Sequence, residues 1–456
     1  MEKQILFAIK SLEKKVVDIY SKMKNTGSSP AQLTLDAIIY NPEAPLDVKT
    51  AFGNVGTSQF LQHLIPLPDG KMIILGGFYK YQGVVVNGLA RLNADFTLDT
   101  TYTGGGNRFL TGPSSNGQGL SMSSMSQTVL PFLDSSLNLY FIRESSYCYQ
   151  SENSSRNSKI FKVDSLGNFD ETFAAAIGTG PNATVHNILL LPDNGFIITG
   201  SFTAFNSTSF NRILRIDSNG SINTSFVTTM GTGFNGTVNQ TVLTPTGKLL
   251  CLGEFTSYNG VARNNIVQLN IDGTIDYSFN YTSGITSFYS SNNRITINKN
   301  TGDIYCYLGG VIIYNGISTF KRVIRISSTG NYDASFASPP NHLAVNGGWW
   351  TMYFDTVLNK LYLGGGGYNW GTAFNNYLYR INTDGSLDTT YPLTPGEGLL
   401  SSMNYIIPLG TDYLYLSHYN YSSSWGNLSG EVHRGFTIIN KHTGKLATKF
   451  TKSLNY

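Results

Sequence analysis

An all-β fold is expected from three observations. Charged residues make up 13% of the 456, and polarity comes instead from Asn, Ser, Thr and 48 glycines beside 28 Tyr and 26 Phe; this mixture suits strands and tight turns better than helices. From Phe52 onward one unit recurs, marked by a closing aromatic at Phe52, Tyr102, Phe173, Phe226, Phe279, Phe336, Tyr391 and Phe450, which enclose seven units of 50, 71, 53, 53, 57, 55 and 59 residues. Each unit holds an apolar run too short for a helix and too apolar to face water on either side. Units that cannot bury both faces alone stack on one another. The predicted architecture is therefore a seven-bladed β-propeller of four-stranded blades, preceded by a short N-terminal α-helix. A linear β-solenoid is the structural alternative, although its coils are usually shorter and lack two hairpin turns per repeat.

The helix is read from residues 1–25, which are charged and free of glycine. Ile5, Ile9, Leu12, Val16, Ile19 and Met23 are spaced 4, 3, 4, 3, 4, a heptad seam. Lys10, Glu13, Lys14, Lys15 and Asp18 flank it, as the charges of a coiled coil would. Self-association or docking onto a larger assembly is the expected role; an amphipathic helix packed on its own domain is the alternative. Residues 26–32, with Gly27, Ser28, Ser29 and Pro30, read as a linker, and 33–456 as the β domain.

Within each unit the defining strand is apolar and runs toward glycine, as in Met72 to Gly76, Phe196 to Gly200, Leu249 to Gly253, Ile304 to Gly309 and Leu361 to Gly364. Leu139 to Ile142 and Tyr413 to Leu416 take the same place without the glycine. Another strand lies upstream, such as Ile188 to Leu191 before the turn at Pro192 to Gly195. Downstream come a Tyr-Asn-Gly turn, a third strand, an Asp-Gly turn and a faint fourth segment that ends on the aromatic.

The third strand carries a charge column of Arg91, Lys162, Arg215, Gln268, Arg325, Arg380 and, in unit seven, Ile438. The closing segment carries Asp99, Asp170, Asn223, Asp276, Asp333, Asp388 and, in unit seven, Ala447. Both columns lose polarity together in the last unit. A cation and a carboxylate eight residues apart across a hairpin meet on adjoining strands, so these are expected to be structural bridges.

Other chemistry is scarce. With 31 Lys+Arg against 28 Asp+Glu the net charge is +3, and no basic field suggests nucleic acid. His63, His186, His342, His418, His433 and His442 show no metal-ligand spacing. Gly104 to Gly106 and Gly364 to Gly367 lack the Gly-Lys-Ser/Thr ending of a phosphate loop. Asn270-x-Asp272-Gly273 and Asn382 to Gly385 lack the spaced Glu of a calcium loop and the remainder of a sialidase-type aspartate box. Cys148, Cys251 and Cys306 are odd in number and read as core residues. No cofactor, metal or catalytic residue is expected. The absence of a signal-like start and of a long apolar run suggests a protein made in a cytoplasm and not inserted in a membrane.

Function on a repeat scaffold is sought where copies depart from the pattern. Unit two has insertions at 104–126 and 144–158. Units six and seven hold all the tryptophans: Trp349, Trp350, Trp370 beside Tyr368, and Trp425 beside Tyr419 and Tyr421. Flat aromatics among Asn, Ser and Gly can stack on sugar rings or anchor a protein partner; packing between blades is the competing role.

The recurring Gly-x-Phe, Tyr-Asn-Gly, apolar-Arg-Leu-Asn, Asp-Gly and Leu-Asp-x-x-Phe, seen in unit one as Leu75-Gly76-Gly77-Phe78, Asn87 and Ala90-Arg91-Leu92-Asn93, resemble the delta-60 repeat, a bacterial and phage β-propeller unit. Units one, three and four match it best and the others are degenerate. The resemblance implies the fold and brings no catalytic residues. Behind a helical anchor, such a domain is similar to virion proteins of tailed phages, including crAss-like phages. It implies a non-enzymatic fibre, spike or tail-associated protein in the virion, bound to other virion proteins, homo-oligomeric through its helix, with a host glycan as a further ligand. A bacterial interaction or adhesion propeller is the competing class and a polysaccharide-active enzyme the third.

Overall fold

The computed structural model describes residues 61–76, 80–82, 84–86, 88–94, 97–103, 131–143, 159–286, 293–307, 312–318, 321, 323–337, 349–365, 378–391, 403–409, 412–418, 426–428, 431–433 and 436–444. The predicted helix and linker, with Ile5, Ile9, Leu12, Val16, Ile19 and Met23, lie outside them.

Among the described residues, seven three-stranded antiparallel sheets follow one another. In the first, β1 (Leu61–Pro66) pairs with β2 (Met72–Gly76), a ribbon of β3 (Lys80–Tyr81) and β4 (Val84–Val85) follows, and β5 (Leu89–Leu92) takes the other edge of β2. The second holds β6 (Phe132–Leu133), β7 (Leu139–Arg143) and β8 (Lys159–Val163). The third holds β9 (Val185–Leu190) and β10 (Phe196–Gly200), the ribbon β11 (Ala204–Phe205) with β12 (Thr208–Ser209), and β13 (Ile213–Ile216). In the fourth come β14 (Val238–Leu243), β15 (Leu249–Gly253), the ribbon β16 (Ser257–Tyr258) with β17 (Val261–Ala262), and β18 (Ile266–Leu269). The fifth has β19 (Arg294–Ile297), β20 (Ile304–Tyr307), the ribbon β21 (Ile313–Tyr314) with β22 (Ile317–Ser318), and β23 (Val323–Ile326). The sixth is β24 (Trp349–Asp355), β25 (Lys360–Gly365) and β26 (Leu378–Asn382). The last is β27 (Met403–Leu409), β28 (Tyr413–His418), the ribbon β29 (Gly426–Leu428) with β30 (Glu431–His433), and β31 (Phe436–Asn440).

The apolar run of each unit is the middle strand, which has neighbours on both edges and both faces. All five residues of β10 and of β15 are buried accordingly. Apolar clusters cross from each sheet to the next: Ile73 and Leu75 pack with Phe141 and Phe161, Leu250 and Leu252 with Ile304 and Ile324, and Tyr362 with Leu414 and Leu416. Each such side chain contributes about 1.5–3 kcal/mol through burial. The first and last sheets meet where His63 of β1 lies 6.4 Å, ring to ring, from Tyr405 of β27.

Two sequence signatures acquire physical causes. The glycine that ends the middle strand faces a bulge in the first strand of its sheet: a Cβ on Gly200 would stand 2.2 Å from the Thr184 carbonyl oxygen, and one on Gly253 2.1 Å from that of Thr237. In Tyr-Asn-Gly, the tyrosine is an internal donor and the asparagine a left-handed cap. Tyr258 donates to the Gly273 carbonyl at 2.6 Å and Tyr314 to that of Gly330 at 2.9 Å. Asn315, at φ 49°, accepts from the N–H groups of Thr282, Ser283 and Gly284 at 2.9–3.1 Å, which pins the incoming connection between units.

The expected fourth strand is reduced to a single bridge in six units, such as Leu92 with Leu98, Leu269 with Ile275 and Ile381 with Leu387. After the bridge the chain leaves for the next unit. Thr103, Asn280 and Ala337, each following a closing aromatic, donate to the turn carbonyls of Leu166, Thr329 and Asp384 in the following unit at 2.9, 2.7 and 2.6 Å. In units two and three the segment becomes a helical turn, α1 (Glu171–Ile177) and α2 (Thr224–Met230), with Asp170 and Asn223 as N-caps.

The charge columns are bridges, and they reach further than the unit. Arg91 bonds Asp99 at 2.7 Å, Arg325 bonds Asp333 at 2.6 Å and Arg380 bonds Asp388 at 2.8 Å, each through Nε, while Lys162 reaches Asp170 at 2.9 Å. The Nη1 of each of these three arginines then donates to a turn of the next unit: Arg91 to Ser165 O at 2.6 Å, Arg325 to Thr383 O at 2.6 Å and Arg380 to Lys441 O at 2.7 Å. A guanidinium alone has the forked geometry for both tasks. Unit three departs: Asn223 caps its helix, and Arg215 pairs with Asp193 while reaching Ile271 O at 3.4 Å. In unit four Gln268 bonds Asp276 at 2.9 Å and Lys248 supplies the cation at 3.6 Å. Lys71 and Lys360 likewise add to Asp99 and Asp388, at 2.7 and 3.0 Å.

Arg325→Ala and Asp333→Ala should therefore couple by about 1–3 kcal/mol in a double-mutant cycle of urea unfolding. Arg325→Lys should recover only part of the loss, since one ammonium cannot hold the same fork on Asp333 and Thr383. Additive single losses would exclude the bridge.

Candidate functional site

The aromatic residues singled out by sequence are placed only in part. Trp349 and Trp350 open β24, where Trp349 pairs with Gly365 and Trp350 is the extra residue of a bulge; their side chains lie outside what is described. Tyr368, Trp370, Tyr419, Tyr421 and Trp425 lie outside the described residues. On the described surface the exposed aromatic is Tyr277, 74% accessible. Arg263 lies 5.4 Å from its ring centre and 4.5 Å from that of Tyr281, a cation–π stack. Units one, two, three, five and six have Thr100, Glu171, Thr224, Ala334 and Thr389 at the place of Tyr277.

A second cluster forms where the first strands of the sheets begin. Bulges fall at the same register in β1, β9, β14, β24 and β27, so His63, Asn187, Gln240, Thr351 and Tyr405 all pair one residue before the end of a middle strand. Arg294 takes the matching place opposite Tyr307. Polar side chains here reach across to the next sheet. Asn187 Oδ1 accepts from Thr241 N–H at 3.2 Å. Gln240 binds Ile295 twice, accepting from its N–H at 2.8 Å and donating to its carbonyl at 3.0 Å. These contacts satisfy backbone groups on the outer edge of a first strand, which has no strand partner there.

His63, Arg294 and Tyr405 come from the first, fifth and seventh sheets, yet His63 touches Tyr405 and Arg294 is within electrostatic reach of it. The cluster is therefore the hub of the sheet succession. Arg294 remains partly reached by solvent, and burial lowers its pKa. His63 is 5% exposed, its Nδ1 has no hydrogen-bond partner among the described residues, and burial pushes its imidazole down to about 4. It is neutral at physiological pH. Sequence spacing missed these residues because they stand in different units; the available signal was a polar pair directly before an apolar run, as in Gln62-His63, His186-Asn187, Asn239-Gln240 and Asn293-Arg294.

Elsewhere titratable groups serve the scaffold. Burial alone would raise Asp99 and Asp388; bonds from Lys71, Thr101 and Arg91 to the first, and from Thr390, Lys360 and Arg380 to the second, outweigh it and hold both well below the carboxylate range. Burial pushes the thiols of Cys251 and Cys306 up to about 12, as expected of inert core residues. Among the described residues no three His, Cys, Asp or Glu side chains gather as a metal site, and no helix is long and apolar enough to cross a membrane.

Residues 67–102, 191–226, 244–279 and 359–391 match the model of a domain of unknown function, DUF5122, a beta-propeller. The chain carries a β-propeller repeat. Each matched stretch runs from the turn before a middle strand to the closing aromatic, in units one, three and four and also in unit six, which the motif alone left among the degenerate copies. No curated protein matches the sequence. Solved structures resemble the propeller loosely. The periplasmic gluconolactonase of Pseudomonas aeruginosa has 12% identity and a TM-score of 0.37, covering 79% of this chain and 94% of that one. Puromycin hydrolase has 11% identity and a TM-score of 0.38, covering 81% of this chain and 51% of that one. A member of the duf4221 family from Bacteroides vulgatus has 14% identity and a TM-score of 0.32, covering 70% and 96%. Likenesses this shallow carry nothing about activity.

The hub gives two expectations. Gln240→Leu strands the N–H and carbonyl of Ile295 and should cost about 1–3 kcal/mol in urea unfolding; an unchanged midpoint would deny the link. In the pH profile, unfolded His63 binds a proton below about 6.5 while the folded form stays neutral to about 4. Stability should thus decline as pH falls from 6.5 to 4, by on the order of 3 kcal/mol. A second decline, from Asp99 and Asp388, should begin only near pH 4, where these carboxylates protonate in the unfolded chain. His63→Leu should flatten the first limb and keep the second; an unaltered slope between pH 6.5 and 4.5 would refute the assignment.

Proposed function

We propose that this chain is a delta-60-type propeller of seven blades, each completed to four strands by its closing segment, and that it serves as a non-enzymatic virion component of a tailed phage. In this reading it is a fibre, spike or tail-associated protein, held to the particle or to sister chains by residues 1–25. The observation that carries the scaffold part of this reading is the placement of charge: the arginine and aspartate columns are spent on joining one unit to the next. The seven three-stranded sheets and the contact of His63 with Tyr405 support seven blades in a closed ring. The heptad seam of Ile5, Ile9, Leu12, Val16, Ile19 and Met23 supports an attachment role. The tryptophans of units six and seven, and the Tyr277 stack, would face a host surface glycan or a neighbouring virion protein.

Light scattering of the full chain beside a variant lacking 1–25 tests the anchor. The full chain should be oligomeric and bind particles, and the shortened one should be monomeric and remain free. Equal mass and equal particle binding would remove the proposal. On a glycan array, Trp370→Ala and Trp425→Ala should each abolish the signal if these rings hold the sugar, and an unaltered signal would assign them to packing.

A further inference from the structure

The surface of unit four departs from the repeat at three places at once. Arg263 follows β17 and donates its N–H to the Thr256 carbonyl at 2.9 Å; in unit three the same bond, from Phe210 to Thr203 at 3.1 Å, marks a buried phenylalanine. Tyr277 stands two residues before the closing aromatic, where units one, three and six have Thr100, Thr224 and Thr389. Tyr281 stands two residues after it, where no other unit has an aromatic. The three departures meet in space, the guanidinium lying against both rings. Tyr281 has a task in the scaffold, since its hydroxyl accepts from the Asn264 N–H at 2.5 Å. Tyr277 has none: it stands exposed, and its hydroxyl has no hydrogen-bond partner among the described residues. Arg91, Arg215, Arg325 and Arg380 pair with carboxylates. Arg263 has no such partner among the described residues, and its Nη1 donates to the adjacent Ala262 carbonyl at 2.8 Å. Most of a five-donor fork is thus left for an outside acceptor.

We propose that this stack binds a carboxylate-bearing sugar, a uronic acid unit of an acidic polysaccharide. The face of Tyr277 takes the apolar C–H face of the sugar ring, and the fork of Arg263 takes two oxygens of its carboxylate. Stacking on the rings holds the guanidinium in place before the ligand arrives, which lowers the ordering cost of binding. Ser278, Asn280 and Thr282, which alternate with the rings, are exposed and polar; a protein partner would instead seek an apolar, water-excluding surround for its anchor. A nucleic-acid strand needs cations along its backbone, and a net charge of +3 supplies no such track. The inference rests on the host-glycan reading above for the source of the sugar, and it narrows that glycan to an acidic one.

Saturation-transfer NMR of the full chain with methyl galacturonide, beside its neutral counterpart methyl galactoside, tests the site. The uronide should show saturable transfer to its ring C–H protons and bind about tenfold more tightly than the galactoside. Tyr277→Thr installs the residue that three sister units carry at this position, so the fold has a precedent for it; transfer to both sugars should fall. Arg263→Gln should erase the preference for the uronide while weak binding of both sugars persists, and Arg263→Lys should restore the preference in part. Equal affinity for the two sugars, no transfer to either, or an undiminished signal in Tyr277→Thr would overturn the site. Tighter binding of an oligothymidylate that is lost in Arg263→Gln would overturn it in favour of nucleic acid. The isolated chain and a soluble sugar suffice, so a chain that fails to bind phage particles refutes the virion reading and leaves this result standing.

Discussion

The arginine that holds its own aspartate with one edge and the next unit's turn with the other is the constraint on which the architecture depends. A three-stranded sheet with an apolar middle strand has two faces to cover and cannot do so alone. Apolar packing between sheets supplies the energy, but it is indifferent to small slips of one sheet on another. The clasp removes that freedom: Arg91, Arg325 and Arg380 each fix a guanidinium between Asp99, Asp333 or Asp388 and a backbone carbonyl of the following unit. The closing aromatic lies beneath the charge, with Arg91 4.8 Å from the centre of Tyr102 and Arg380 4.2 Å from that of Tyr391. The same segment that ends one unit thereby docks the next, which is why it makes one bridge and not a full strand.

The opposite end of each sheet poses a different problem. A first strand has a partner on one edge only, and its other edge must meet polar groups or water. Bulges at a common register turn Asn187 and Gln240 toward that edge in the neighbouring sheet. The glycines at the ends of β10 and β15 are the counterpart, because the bulged backbone comes too close for a Cβ. Motif and hub are thus two views of one backbone distortion.

Much of this was legible in the sequence, and the limits have physical causes. The repeat, the middle strands and the Arg91 to Asp99 and Arg325 to Asp333 pairs could be read because their partners lie within one hairpin. The second half of the clasp could not, since Ser165 and Thr383 contribute only a carbonyl, which any residue has. Asn223 stands in the aspartate column and is a helix cap, a role that needs an acceptor and no charge. Lys71, Lys248 and Lys360 are not legible from the hairpin pattern because each has its own partner, Asp99, Asp276 or Asp388, 28 residues further on. His63, Arg294 and Tyr405 were invisible as a group, because they stand in the first, fifth and seventh sheets and no spacing within one unit relates them.

Unit seven shows how far the clasp can be dispensed with. Ile438 stands in the arginine column and Ala447 in the aspartate column, so the column that clasps the next unit elsewhere has neither of its charges here. The sixth unit compensates on its own side: Arg380 and Tyr362 both donate to the Lys441 carbonyl at 2.7 Å, and the Lys441 ammonium forms a buried pair with Asp355 at 2.7 Å. Asp355 also accepts from the N–H groups of Val357 and Leu358, so its charge is fully met, the condition under which a buried pair is tolerable. Unit seven is therefore tied firmly to unit six. Its contact with unit one is seen at the hub, where Tyr405 meets His63, and this meeting of the last sheet with the first is also a place where polar side chains gather.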